Sequence, residues 1–559
     1  MNLDQTKRAV ALIASAGLMS LPQGAAAAQQ GDGRPLNVVA IGIFFVFVGI
    51  TFAITWWAAK RTKTAKDFFS AGAGISGLQN GLAVAGDYLS AATMLGVVSL
   101  VYARGYDGLL YCIGFFIGWP VMLLLMAERV RNLGRYTYVD IIAYRLDHVG
   151  VRCMAALGSL TVVFFYLIVQ MVGAGELVQL MFGLQYNYAI ISVGILMIVY
   201  VTFGGMIATT WVQLIKAVLI MFGATLLMVL ALAHFNFDFE SLAQKAVQVH
   251  AGGNAIMGPG GLFSDPVSSL SLSLATVFGL CGMPHILMRF FTVPNAREAR
   301  TSVLVAATCI GYMFVAMFVI GLASIVIVST DGRFFEGGHA GGKLLGGSNM
   351  VALHLATAMG GNLFLGFLAA VMFATILAVV SGLALAGASS ISHDIYVNVL
   401  RRKTTVSGEA EVRLTRKVTI VIGIVAVLLG IVFRGQNVAF LVSLAFNVAA
   451  SANFPPLLTS MYWRGVTARG VMWGGLAGLV SSVGMVILSP AVWKTVLGHS
   501  HAIFPYDHSA LFSMPLAFLV IYVVSKLDRS PAAERAKLAF DLQMVRAQTG
   551  LGAEGASQH

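Results

Sequence analysis

Long apolar runs separated by short polar gaps dominate the chain, and most exceed the length of a strand or of an ordinary surface helix. They predict thirteen membrane-spanning helices. The first seven are Leu36–Ala59, Gly72–Val101, Leu109–Met126, Met154–Phe182, Tyr188–Thr202, Ile207–Ala233 and Leu270–Met288. The other six are Val303–Val328, Ala352–Ser390, Val418–Phe433, Val438–Ser460, Gly470–Leu488 and Leu511–Val524. Between them, 236–269 and 330–349 read as Gly-rich loops carrying short surface helices. The tail from Lys526 onward is polar, with an amphipathic stretch at 532–546, and needs no role beyond solvation.

Two of the apolar runs are interrupted. Asp87 sits in the middle of the second, where Gly77, Gly81, Gly86 and Gly96 weaken the helix. A carboxylate that deep costs about 3 kcal/mol on insertion scales unless it has partners or water. Asp87 is also too far from either end to snorkel. Five spans later, Gly279, Gly282 and Pro284, followed by His285, mark a second break. A pair of broken helices in corresponding positions of two halves points to a binding site near the midplane of a secondary transporter.

Composition agrees with a membrane chain: 58% hydrophobic, 10% charged, mean hydropathy +0.85, against about 25% charged in soluble domains. The net charge of +12 does not indicate nucleic acid, because the Lys and Arg lie in loops between spans. The odd-numbered gaps other than 203–206 are basic, such as 60–66, 129–152, 289–300 and 401–417, and the even-numbered gaps carry few positive charges. That asymmetry predicts a periplasmic N-terminus and a cytoplasmic C-terminus in a bacterial inner membrane. Residues 1–28 read as a cleavable signal peptide, with Lys7 and Arg8 before a short apolar run and Ala26–Ala28 at its end. The four cysteines have no metal-ligand spacing. No HExxH, CxxC or phosphate-cradling loop appears, which argues against an enzyme and an ATP-driven pump.

Tyr200-Val-Thr-Phe-Gly-Gly-Met-Ile-Ala208 resembles the signature of the sodium:solute symporter family, and the likeness extends from about Ala40 to Gln548. Gly81-Leu-Ala-Val-Ala-Gly-Asp-Tyr88, Ala127-Glu-Arg-Val-Arg-Asn-Leu-Gly-Arg-Tyr136 and Gln170-Met-Val-Gly-Ala-Gly175 resemble the cation/acetate symporters of that family. So do Pro284-His-Ile-Leu-Met-Arg-Phe-Phe-Thr292, Asn362-Leu-Phe-Leu-Gly-Phe367, Ser392-His-Asp-Ile-Tyr396, Asn453-Phe-Pro455 and Gln548-Thr-Gly550. The resemblance implies an all-α integral membrane protein with a LeuT-like fold of two inverted five-helix repeats, here 72–233 and 270–460. An extra helix at 36–59 precedes the repeats, two helices at 470–524 follow, and 526–559 forms the cytoplasmic tail.

It also implies a cation site between the first and eighth core helices. The carbonyl ligands would fall on Gly86 and Leu89, with Asp87 between them. The paired hydroxyl positions of the eighth helix fall on Ala378 and Val379, which have none; Thr375 and Ser381 lie one turn to either side. Where many sodium-coupled relatives carry an acid, this chain has Gln213, followed by Lys216. Sodium requires several hard oxygens, by analogy with other hard cations, so Na+ at this site and a proton carried by Asp87 both stand as the co-transported ion. No other cofactor is implied. The expected cargo is acetate or a related monocarboxylate, in a pocket near Tyr88, Ser90, Gln170, Gln213, Gly279 and Gly282. Because Gly279-Leu280 replaces an aromatic pair of sugar-transporting relatives, no aromatic platform is expected. Lys216 and Arg289 could attract the anion, but near the expected inner face they read first as topology-setting charges. Lipid is the only other partner implied.

Overall fold

The computed structural model describes residues 38–59, 70–90, 92–203, 206–261, 265–401 and 407–553. The signal-peptide segment and the Gly204-Gly205 pair lie outside them. Among the described residues the chain is helical, and its only extended pairing is an isolated bridge between Phe335 and Leu344.

The helices are α1 (Val38–Ala59), α2 (Gly77–Tyr88), α3 (Val98–Arg104), α4 (Asp107–Val121), α5 (Ala127–Leu133), α6 (Tyr138–Leu146) and α7 (Val149–Phe182). Then come α8 (Tyr186–Phe203), α9 (Met206–His234), α10 (Phe239–Val249), α11 (Pro266–Leu280), α12 (Pro284–Met288), α13 (Ala296–Ile327) and α14 (Val351–Ser389). The last are α15 (Gly408–Val432), α16 (Val438–Val448), α17 (Phe454–Tyr462), α18 (Ala468–Ile487), α19 (Ala510–Leu527), α20 (Pro531–Leu538) and α21 (Phe540–Thr549).

Among the described residues, ten helical stretches are long and apolar enough to cross a membrane, eleven if the bent pair α2–α3 counts as one. The expectation of thirteen spans is therefore met only in part. At the first and fifth positions stand α1 (Val38–Ala59) and α8 (Tyr186–Phe203), whose described apolar stretches are Val38–Ile50 and Tyr186–Ile198. The expected ninth span, Ala352–Ser390, also differs. Gly361 breaks it at φ 60° and ψ −156°, a backbone open to glycine and costly for other residues. Helix resumes beyond Gly361 and runs through widened π-type turns at Ser390–Leu400.

Both expected interruptions are present. α2 ends at Tyr88, and the chain resumes at Ala92 in π-type turns leading to α3, with a bend of 52°. α11 ends at Leu280, and α12 begins after Cys281-Gly282-Met283. α2 packs on α9 and α13, and α11 packs on α4 and α16, so each broken helix lies inside the bundle. α10 is the surface helix expected in the 236–269 loop and tucks Leu242 and Ala246 inward.

The tail is not simply solvated. α21 packs on α5, and Arg145 of α6 donates to Gln543 Oε1 and to the carbonyls of Ser460, Trp463 and Ala536. Asn132 Nδ2 donates to the Ala547 carbonyl at 2.9 Å. The acceptors are mostly backbone carbonyls, which leave no mark in the sequence.

Candidate functional site

Asp87, at the end of α2, is buried and fully partnered. Its Oδ1 accepts from Gln213 Nε2 of α9, and its Oδ2 from Arg289 Nε at 2.5 Å. Arg289 follows α12 by one residue and is itself 1% exposed. Its Nη1 donates to Thr210 Oγ1 at 2.8 Å, while Nη2 is buried without a hydrogen-bond partner. On α9, Lys216 Nζ donates to Gln213 Oε1 at 2.6 Å and to the Thr375 carbonyl of α14 at 3.4 Å. Lys216 and Arg289 are therefore buried members of the Asp87 network rather than exposed loop charges. For Lys216 the signal was present in the spacing: Thr209, Gln213 and Lys216 lie at i, i+4 and i+7, one face of α9.

The expected cation residues lie at and beside this crossing, and the side-chain oxygens among them already have partners. Gly86 gives close approach, since a Cβ there would lie 2.2 Å from the Gln213 carbonyl oxygen. Leu89 is buried at the break, with ψ 73° outside the helical range. The Thr375 hydroxyl donates back to Val371 O at 2.6 Å, and Ser381 Oγ faces Thr209 Oγ1 at 3.4 Å. Ala378 is buried and offers no side-chain oxygen. Gly382, beside Ser381, faces Asp87: a Cβ there would sit 3.4 Å from Oδ1.

A small cavity opens beside the break in α2, lined by Tyr88, Ser90, Thr93, Phe115, Tyr166, Phe314, Val442 and Phe446. Contrary to the expectation from Gly279-Leu280, its walls are aromatic, because α4, α7, α13 and α16 supply the rings. Tyr88 OH is fixed to the Phe115 carbonyl at 2.8 Å, and Ser90 Oγ lies 3.3 Å from Tyr166 OH. The Tyr166 ring meets His285 with centroids 5.3 Å apart. One turn along α7, Gln170 buries both amide atoms without a partner, as does His285 at Nδ1. Tyr88 and Ser90 thus reach the cavity and Gln170 stands a turn away, whereas Gln213 belongs to the Asp87 network. Gly279 and Gly282 press on α16 and the π-type turn that follows it, where a Cβ would meet the Phe446 and Ala449 carbonyl oxygens at 2.3 and 2.5 Å.

A second polar cluster joins α6 to the continuation of α14. Asp140 Oδ2 accepts from the Tyr136 and Thr137 amides, and Oδ1 lies 3.6 Å from both His393 Nε2 and Arg152 Nη1. His393 Nδ1 is 2.9 Å from Glu411 Oε1, and Thr137 Oγ1 donates to Asp394. Burial opposes the charge on Asp140, but His393, the Tyr136 amide and Arg152 outweigh it and hold the carboxyl well below the usual carboxylate range.

A family model described as the sodium:solute symporter family matches residues 68–478. Among solved structures, a Na+-coupled sialic acid symporter in a substrate-bound outward-open state is similar at 16% identity and TM-score 0.70. The match covers 88% of this chain and 98% of that one. Mhp1, a nucleobase-cation-symport-1 family transporter in a closed conformation with bromovinylhydantoin bound, matches at 15% identity and TM-score 0.47. That match covers 84% of this chain and 97% of the other.

Proposed function

Because the chain belongs to the sodium:solute symporter family, a family of cation-coupled secondary transporters, we propose that it imports acetate and related short monocarboxylates across a bacterial inner membrane. The N-terminus is then periplasmic and the C-terminus cytoplasmic, as the basic loops suggest. The observation that carries the reading is the cavity beside the α2 break. It is small and aromatic-walled, and it presents the Ser90 and Tyr166 hydroxyls. The buried Arg289, with Nη2 unpaired, stands one turn beyond His285. Apolar walls suit a short alkyl group, and a guanidinium suits a carboxylate. Transport proceeds by alternating access, with the broken helices opening the site to each side in turn.

The test is uptake of labelled acetate into proteoliposomes, with unlabelled propionate, pyruvate, glycolate and neutral amino acids as competitors. Saturable acetate uptake inhibited by short monocarboxylates is expected. Absence of saturable uptake, or inhibition by amino acids alone, would assign the cavity to another small solute.

A further inference from the structure

At the crossing of α2, α9 and α14, a positive charge is already built into the chain. Lys216 is 3% exposed, and its ammonium bridges Gln213 Oε1 on its own helix and the Thr375 carbonyl of α14. The surrounding side-chain oxygens are engaged elsewhere. Asp87 is held by Gln213 and Arg289, the Thr375 hydroxyl by Val371, and Ser381 faces Thr209. The charged groups around the ammonium are Asp87 from α2 and Arg289 beyond α12, with His285 one turn before it. α14 presents Thr375 and Ser381.

We propose that the Lys216 ammonium is the resident cation of this crossing, so that no sodium ion binds there and the transporter couples to protons. The proposal rests on the reading of the chain as a symporter and names its ion. A hard cation needs several oxygens converging on one point. Here the Gln213 and Thr375 oxygens converge on Nζ, and a second cation beside it meets like-charge repulsion that the protein interior screens poorly. Asp87, neutralised by Arg289, leaves the ammonium only neutral acceptors. The three side chains together carry one surplus positive charge, which attracts an anion rather than a metal ion. A tethered ammonium can give up its charge in only one way, Lys–NH3+ releasing H+ to leave Lys–NH2. The proton is therefore the cation this position can exchange with either side.

The first measurement needs no substrate. The thermal midpoint of the purified full chain is followed as NaCl replaces choline chloride at constant ionic strength. The midpoint is expected to be independent of sodium; a saturable sodium-specific rise overturns the proposal, whatever the cargo proves to be. In proteoliposomes without sodium on either side, an inward proton gradient is expected to drive acetate accumulation beyond the level reached in protein-free vesicles. Accumulation that appears only with a sodium gradient also overturns it. Lys216→Met is expected to lose proton-driven accumulation while still unfolding cooperatively in the thermal assay, a split that a misfolded variant cannot show. Retention of proton-driven accumulation by that variant would remove Lys216 from coupling.

Discussion

Arg289 Nε donates to Asp87 Oδ2 at 2.5 Å, joining two side chains 202 positions apart and each 1% exposed. The pair ties the last turn before one helix break to the first turn after the other. Removing one partner of a buried ion pair costs ~3–5 kcal/mol, because the remaining charge stays buried and uncompensated.

Asp87→Asn and Arg289→Gln are each expected to lower the thermal midpoint and abolish concentrative uptake. The double variant Asp87→Asn/Arg289→Gln is expected to regain much of the thermal stability but not the uptake. Thermal unfolding of the four proteins, taken as a double-mutant cycle, measures the coupling. Additive losses would mean that the two groups do not stabilise each other.

The Asp140 cluster predicts a pH dependence of defined sign. Because the folded protein holds Asp140 below its ordinary value of about 3.9, its contribution is complete above that pH. It fades as pH falls through the depressed value. The difference in thermal midpoint between wild type and Asp140→Asn should shrink as pH falls below about 4. A difference that grows on acidification would contradict this assignment.

Glycine substitutions separate close packing from composition. Gly86→Ala places a methyl 2.2 Å from the Gln213 carbonyl oxygen, with backbone rather than a flexible side chain in the way. It is expected to destabilise by about 1–3 kcal/mol and to reduce uptake. Gly42→Ala on α1 meets nothing within 4 Å and is expected to be neutral. Equal effects in the two variants, measured by thermal unfolding, would argue against a tight α2–α9 contact.

Much of the architecture was legible because membrane physics writes it locally. Apolar length gave most spans, and glycine and proline inside such runs gave both breaks. The burial of Asp87 also followed from its distance to either end of its span. Its partner did not, because an arginine at the edge of an apolar run looks the same whether it faces lipid headgroups or a carboxylate. The cavity's aromatic walls come from four helices distant in sequence, so the local reading at Gly279-Leu280 missed them. The extra length of the ninth apolar run could have suggested a break at Gly361, since 39 residues exceed what one span requires.

The docked tail bears on the order in which the molecule is completed. α20 and α21 are synthesised after every span, and domains form from the N-terminal side as the chain emerges. Until the tail arrives, Asn132 lacks the Ala547 carbonyl and Arg145 lacks two of its acceptors, Gln543 Oε1 and the Ala536 carbonyl. Assembly of this face is therefore a late event, and a nascent chain halted before residue 531 would carry an inserted but unlatched bundle.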